Sequence, residues 1–154
     1  MKQFMEDVTI IIQGKLEQDS YDFYIKKYFN CPVIISTWNN TSINFSNIPK
    51  NFKVLLSPIP SESGDQNINY QIISTLNALQ TIHTKYVIKV RGDEYWSYPE
   101  NILEFLKKEP NKLHCSSVFF RAWQYSEYHM SDHIFAGTTE NLLILFNAAK
   151  YNFE

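Results

Sequence analysis

Hydrophobic residues along this chain form short continuous runs that alternate with stretches of helical spacing. Runs rich in β-branched residues predict strands at residues 7–14, 33–38, 52–56 and 86–90. Apolar residues three or four positions apart predict helices at 69–81 and 100–108, one from Asp19 or Ser20 to Tyr28, and one capped by Thr138 or Thr139. Polar, turn-rich stretches at 39–50 and 57–67 predict loops.

The second half of the chain gives weaker patterns. Residues 112–120 predict a strand centred on Val118, Phe119 and Phe120, and 134–137 is a short apolar run. The stretch 121–130, rich in Trp, Tyr and His, predicts either a strand pair or a loop over a site. In the 100–108 helix, the residues predicted to face inward are Ile102, Leu103, Phe105 and Leu106. The alternation of strands and helices indicates an α/β fold with a mostly parallel sheet.

The composition favours one packed domain spanning 1–154. A content of 44% hydrophobic and 16% aromatic residues argues against disorder, and a formal net charge of −2 makes nucleic acid an unlikely partner class. Cys31 and Cys115 stand alone, without zinc or disulfide spacing. With no signal peptide and no run near the roughly 20 apolar residues of a membrane span, the chain is expected in the cytoplasm.

The stretch that carries the most chemistry follows the fourth predicted strand. Gly92 ends that strand, and Asp93 and Glu94 come just past its carboxyl end, where open α/β sheets bind ligands. Together with Lys89 and Arg91, these carboxylates could hold a divalent cation and the phosphates it bridges. The alternative interpretation is a charged strand end that faces water.

Aromatic residues follow the two carboxylates directly. Tyr95, Trp96 and Tyr98 are typical of sugar pockets, because the C–H faces of a pyranose ring pack on aromatic rings. They are equally typical of core packing under a loop. The chain contains no GxSxG, HExxH or GxxxxGK[ST] motif, which excludes the usual hydrolase, zinc-protease and phosphate-loop signatures.

Five segments, taken in order, resemble the WavE-type lipopolysaccharide synthesis proteins, a family regarded as glycosyltransferases with a GT-A-like fold. The chain is also similar to related transferase domains of large DNA viruses. The segments are 8–14, 34–38, 67–75, 84–94 and 131–137, and they span nearly the whole chain. The resemblance implies a single Rossmann-like domain that binds a nucleotide-diphosphate sugar.

The resemblance also implies roles for individual residues. The residues implied to contact the nucleotide sugar are Gln13, Gly14, Thr37, Trp38, Asn69, Gln71, Lys89 and Arg91. Lys89-x-Arg91-x-Asp93 matches the family's Lys-x-Arg-x-Asp stretch, where GT-A enzymes keep an Asp-x-Asp metal motif. Asp93 is therefore the expected ligand of Mn²⁺ or Mg²⁺, with Glu94 as helper. Because position 91 is Arg, the phosphates could instead be neutralised directly by Arg91 and Lys89.

The expected activity is transfer of a sugar from a nucleotide-diphosphate donor to a glycan, glycolipid or lipopolysaccharide-type acceptor. Asp132 is the candidate base that deprotonates the acceptor hydroxyl, and the alternative for Asp132 is a loop or helix cap. The chain ends soon after the last predicted helix, which suggests a shortened acceptor side. Two rival interpretations are a catalytically inactive nucleotide-sugar-binding domain and a glycan-binding domain that uses Trp96, Tyr98, Trp123, Tyr125 and Tyr128. The expected location is the cytoplasm of a bacterium, or of a host cell for a viral protein.

Overall fold

The structure, a computed structural model, describes residues 7–27, 29–116 and 131–151. Its strands are Val8–Gln13 (β1), Val33–Trp38 (β2), Phe52–Ser57 (β3), Tyr86–Arg91 (β4), His114–Cys115 (β5) and Ile134–Thr138 (β6). Its α-helices are Gln18–Lys26 (α1), Ile68–Leu79 (α2), Leu103–Lys108 (α3) and Thr139–Tyr151 (α4). Short 3₁₀ turns at Asp65–Asn67 and Pro99–Ile102 precede α2 and α3.

The strands form one six-stranded sheet in the order β3-β2-β1-β4-β6-β5. Strands β1 to β4 run parallel, while β6 is antiparallel to both β4 and β5. The predicted α/β fold with a mostly parallel sheet is therefore confirmed.

Both faces of the sheet are covered, which explains the continuous apolar runs of its inner strands. Every residue of β1 and β2 is buried. One face packs against α2 and α4 through Ile11, Ile34, Val87, Phe135, Ile72, Leu76, Leu79, Leu142 and Phe146. The other face packs against α1 and α3 through Ile10, Ile12, Val33, Ile35, Ile88, Val90, Tyr21, Tyr24, Leu103 and Leu106. A strand buried on both sides has no reason to alternate polar and apolar residues.

Several predicted details are corrected. The first helix is capped by a box of Glu17 and Ser20, so it begins before the predicted Asp19 or Ser20. Phe105, predicted to face inward, is 60% exposed. The strand predicted at 112–120 is confirmed only at His114–Cys115, and its remaining core, like residues 121–130, lies outside the described residues. Thr138 does cap the last helix, because its Oγ1 accepts the Asn141 amide at 3.1 Å.

The order of the strands creates a switch point between β1 and β4. The chain runs outward from β1 through β2 to β3, and then returns through α2 to β4 on the opposite side of β1. Ligands of open α/β sheets bind at such points, outside the carboxyl ends of the strands. Because β6 is antiparallel to β4, the residues just before β6 lie at this same edge, which we call the carboxyl edge. In the parts of the chain that the structure describes, no helix is long and apolar enough to cross a membrane.

Candidate functional site at the carboxyl edge

Strands β1 and β4 end in close contact. The amide of Gly92 donates to the carbonyl of Gln13 at 2.7 Å. A Cβ at position 92 would lie 2.7 Å from Leu16 Cδ1 and 3.0 Å from the carbonyl oxygen of Lys15, distances that side chains do not tolerate without movement. A glycine at this position therefore allows the turn after β4 to pass directly over the end of β1.

Gly14 ends β1 in a different way. Its φ of +96° belongs to the region that favours glycine, and its amide donates to the carbonyl of Ser36 at 2.8 Å. No atom outside its own neighbours lies within 4 Å of the position that a Cβ would occupy. The backbone of Gly14 is thus bordered by open space at the end of β1.

Arg91 lies at the centre of the charged groups on this edge. Its Nε and Nη2 donate to the two carboxylate oxygens of Asp93, at 3.0 and 2.7 Å. Its Nη1 lies 3.4 Å from Asp132 Oδ2, and its Nε lies 3.5 Å from Glu94 Oε1. One guanidinium group, 33% exposed, therefore joins carboxylates from the turn after β4 and from the segment before β6.

The pairing of Arg91 with Asp93 keeps both groups charged. The hydrogen bonds from Arg91 lower the pKa of Asp93, although partial burial acts against this effect. The same hydrogen bonds raise the pKa of Arg91 above its ordinary value. At neutral pH the edge therefore presents the guanidinium cation of Arg91 paired with the carboxylate of Asp93.

Asp132 is held at both its side chain and its backbone. Gln71 Nε2, from the first turn of α2, donates to Asp132 Oδ2 at 2.8 Å, beside the contact with Arg91. Lys89 Nζ donates to the main-chain carbonyl of Asp132 at 2.6 Å. The side chain of Asp132 is still 44% exposed, so its carboxylate is oriented but accessible.

Lys89 itself is completely buried. Burial lowers its pKa to about 7, the negative charge of Asp132 acts in the opposite direction, and Arg91 adds to the lowering. Its ammonium also lies 5.7 Å from the ring centre of Phe135, the residue paired with Lys89 across β4 and β6. Lys89 thus lies beneath the edge, one pleat below Arg91 on the same face of β4.

Glu94 connects the turn after β4 to the segment before β6. One of its carboxylate oxygens pairs with His133 Nδ1, and the other accepts the indole N–H of Trp96 at 2.8 Å. The carbonyl of Glu94 accepts the hydroxyl of Tyr24 at 2.8 Å, and that hydroxyl also accepts the Trp96 amide at 3.3 Å. Tyr24, from α1, therefore fixes the turn from below, and burial raises its pKa.

The predicted residues of β1 and β2 are buried at the carboxyl ends of their strands. Gln13 Nε2 donates to the hydroxyl of Ser74 at 2.8 Å, and Ser74 in turn donates to the carbonyl of Tyr70 at 2.7 Å. Thr37 and Trp38 are buried as well, and the ring of Trp38 lies 5.3 Å from that of Tyr70. Ser36 completes this layer by donating to the carbonyl of Ser74 at 2.7 Å.

The predicted site residues thus fall into separate groups. Gln71, Arg91, Asp93 and Asp132 are brought together in one network of contacts. Gln13, Thr37, Trp38 and Lys89 are buried beneath the edge. Asn69 turns toward the loop before α2, where its Nδ2 donates to the carbonyl of Glu62 at 3.2 Å.

The expected metal site does not fit the arrangement as it stands. Both oxygens of Asp93 accept hydrogen bonds from Arg91, so a cation would have to displace the guanidinium. Across residues 7–27, 29–116 and 131–151, no three His, Cys, Asp or Glu side chains converge closely enough to hold a metal ion. Binding of Mn²⁺ or Mg²⁺ at Asp93 therefore stays a prediction.

Two residues of this edge were missed by sequence reasoning. Tyr24 lies 70 positions before Glu94, and Ser74 lies 61 positions after Gln13. From the sequence, a tyrosine on the apolar face of a helix is interpreted as a core residue. A serine near the start of a helix is interpreted as an ordinary polar residue. The chain carries no local signal for either contact.

The fold and the edge define a class: an α/β domain whose charged side chains gather at the carboxyl ends of a mostly parallel sheet. Within that class, the chain belongs to the WavE lipopolysaccharide synthesis family, whose model matches residues 13–154. The family predicted from the five sequence segments is therefore confirmed. No protein of curated function matches the chain.

Proposed function

We propose that this protein is a glycosyltransferase that moves a sugar from a nucleotide-diphosphate donor to a glycan or lipopolysaccharide-type acceptor. Membership of a lipopolysaccharide synthesis family supports the general class of reaction. The mostly parallel sheet, with its switch point between β1 and β4, supports the finer assignment to a GT-A-like domain.

The observation that carries the proposal is the position of Arg91. Its guanidinium lies at the switch point, one-third exposed, and its present partners are carboxylates within a few residues of each strand end. A diphosphate offers pairs of anionic oxygens that can accept two hydrogen bonds from one guanidinium, as a carboxylate does. The side chains of Arg91 and Asp93 are 33% and 41% exposed, so a phosphate can reach the guanidinium and take the place of Asp93.

The other residues of the edge complete the donor site. Gly14 is buried at the end of β1, where no atom lies within 4 Å of the position of a Cβ, so only its backbone borders the donor site. Gln71 reaches the edge from the start of α2, where its amide already binds Asp132. Gln13, Thr37 and Trp38 form the buried floor rather than direct contacts, because each is almost fully covered.

The chemistry requires a base and a stabilised leaving group. Asp132 accepts the proton of the acceptor hydroxyl, and the hydroxyl oxygen forms a bond to the anomeric carbon of the donor sugar. The bond from that carbon to the diphosphate oxygen breaks, and its electron pair remains on the diphosphate. Arg91 stabilises the charge that develops there. No step in this scheme depends on a metal ion.

The test is a thermal-shift titration with UDP, GDP, CDP and TDP, each with and without Mn²⁺. A ligand at about 100 times its dissociation constant stabilises the folded state by about 2.7 kcal/mol. We expect one nucleotide to stabilise the parent without Mn²⁺, and Arg91→Met to lose this effect. Lys112→Met is the matched control, because Lys112 is an exposed cation that pairs with a carboxylate three residues away, that of Glu109.

Other outcomes of these experiments would favour one of the alternative interpretations of the site. Stabilisation that requires Mn²⁺ and is lost in Asp93→Ala would assign the phosphate role to a cation at Asp93. Binding of a nucleotide sugar without any turnover, in the presence of lipopolysaccharide, would favour an inactive binding domain. No stabilisation by any nucleotide would contradict the donor site. It would leave the glycan-binding interpretation. Of the aromatic residues predicted for that role, the structure describes Trp96 and Tyr98, whereas Trp123, Tyr125 and Tyr128 lie outside the described residues.

A further inference from the structure

We propose that Lys89 is a positioning residue that holds the proposed base, Asp132, through the main chain and does not touch the donor phosphates. This inference rests on the proposed function, because it assigns a role within the same site. It also departs from the role that the Lys-x-Arg-x-Asp pattern implies for this lysine.

The geometry separates Lys89 from any solute at the edge. Its side chain is completely buried, and Nζ donates to the carbonyl oxygen of Asp132 at 2.6 Å. Arg91, two residues further along the same face of β4, is the last residue of the strand and lies nearer the carboxyl edge than Lys89. A phosphate bound by Arg91 would therefore meet the guanidinium before it could meet the ammonium.

The hydrogen bond from Lys89 to the carbonyl of Asp132 restrains the segment before β6. Lys89 pairs with Phe135 across β4 and β6, and its ammonium faces the ring of that residue. The chain from Phe135 back to Asp132 therefore passes over the end of the Lys89 side chain. Just before it, Ser131 is buried, with its hydroxyl 3.0 Å from that of Ser116.

The backbone contact complements two side-chain contacts. Gln71 and Arg91 bind one oxygen of the Asp132 carboxylate, which fixes the rotation of the side chain. These contacts orient the carboxylate only if the backbone of Asp132 is itself fixed, and Lys89 supplies that restraint. A buried amine is costly to retain, and an apolar residue of similar length would pack there without this cost.

The experiment compares Lys89→Met with Lys85→Met. Methionine keeps most of the length of the lysine but cannot donate a hydrogen bond. Lys85 is the matched control, since it is an exposed lysine at the opposite end of the same strand. Three quantities are measured for each variant: amide hydrogen exchange over 131–134, the affinity for the nucleotide that stabilises the parent protein, and kcat for release of nucleoside diphosphate from the donor.

We expect Lys89→Met to raise hydrogen exchange over 131–134 at least tenfold, with little change in the rest of the sheet. Nucleotide affinity should stay within about threefold of the parent, while kcat for release of nucleoside diphosphate from the donor falls by about 10²-fold, the order expected for a misplaced catalytic group. Loss of a positioning residue lowers kcat but leaves nucleotide affinity nearly unchanged, whereas loss of a phosphate ligand lowers the affinity as well.

Unchanged exchange over 131–134 would overturn the inference, as would a loss of nucleotide affinity equal to that of Arg91→Met. If no nucleotide binds the parent, the proposed function fails, and the exchange measurement still decides whether Lys89 restrains Asp132. Should Lys89→Met not fold, native-state amine labelling of the parent replaces it. Lys89 should then resist labelling equally with and without nucleotide, and protection that appears only with nucleotide would contradict the inference.

Discussion

Two layers of polar side chains lie at the carboxyl edge, and they differ in burial and in partners. The inner layer consists of Gln13, Ser36, Ser74 and Lys89, all buried, whose partners are hydroxyls and main-chain carbonyls. The outer layer consists of Arg91, Asp93, Glu94 and Asp132, which are 25% to 44% exposed and bind one another through opposite charges.

The difference indicates which layer meets a ligand. Removing an inner contact leaves a buried polar group unsatisfied, so these contacts are expensive to break and serve to fix the shape of the edge. The outer ion pairs are 25% to 44% exposed, so a solute of suitable charge can reach and replace them. Under the proposed function, the inner layer positions the outer one, and the outer layer carries the chemistry.

The largest expected effect is a pH dependence of stability that comes from the inner layer. The pKa of Lys89 is lowered from 10.5 to about 7 in the folded protein, mainly by burial. Between these values the unfolded chain binds more protons, so the free energy of unfolding should rise with pH, by up to about 1.4 kcal/mol per unit. Urea unfolding of the parent and of Lys89→Met from pH 7 to pH 10 measures this difference.

The charged groups around Lys89 do not change the sign of that prediction. Asp132, Glu94 and Asp93 favour the ammonium and Arg91 opposes it, but burial is the dominant cause. Below pH 7 the ammonium is charged in both states and its full cost is present. Equal slopes for the parent and Lys89→Met would show that Lys89 is not buried as described.

The second effect concerns the outer layer and affects affinity rather than stability. Arg91→Met should lower the affinity for a nucleoside diphosphate by about 10- to 100-fold, since charge-assisted hydrogen bonds contribute about 1.5–3 kcal/mol. Isothermal titration calorimetry gives the affinity. Urea unfolding should show that the free energy of unfolding changes much less than the free energy of binding. A variant that unfolds readily but binds nucleotide normally would reverse the roles of the two layers.

Much of this arrangement could be predicted from the sequence. The runs at β1, β2 and β4 are continuous and β-branched because both faces of these strands are covered, and a glycine followed by two acidic residues marked the end of β4. The family follows from five short segments and is confirmed over residues 13–154. Each of these patterns lies within a short stretch of the sequence, so it can be recognised without knowledge of the tertiary contacts.

The rest depends on contacts that no local pattern reports. The sequence predicted that Lys89 contacts the phosphates, with a charged strand end facing water as the alternative. Its burial and its contact with the carbonyl of Asp132 depend on the pairing of β4 with β6, which no local pattern reports. Phe105 was placed on the wrong face, because the 3₁₀ turn before α3 has about three residues per turn and shifts the helical phase. Leu103 and Leu106, three positions apart and also predicted to face inward, are buried, so the prediction is confirmed for these two residues.

The third effect again belongs to the inner layer. Ser74→Ala removes the acceptor of the Gln13 amide, which is buried, and should lower the free energy of unfolding by about 1–3 kcal/mol. Ser97→Ala serves as the control, because Ser97 is exposed. Nucleotide affinity should be nearly unchanged in Ser74→Ala, and a large loss of affinity without loss of stability would place Ser74 in the outer layer.

The smallest effect on stability is expected for Asp93→Asn, below about 1 kcal/mol for a pair that is partly exposed. The substitution should raise the affinity for a nucleoside diphosphate, because Arg91 loses a charged competitor. In the parent, the contribution of Asp93 should disappear as the pH falls through its lowered pKa. If Asp93→Asn instead lowers the affinity, and Mn²⁺ does not restore it, Asp93 contacts the nucleotide directly.

The most direct test of the account is to observe Arg91 while a nucleotide binds. The chain contains two arginines, Arg91 and Arg121, so its Nε–H signals in a ¹⁵N spectrum are few, and Arg91→Met identifies the relevant one. We expect a saturable shift of the Arg91 Nε–H signal when the stabilising nucleotide is added. Binding that leaves this signal unchanged would show that the nucleotide lies elsewhere and would contradict the donor site at the carboxyl edge.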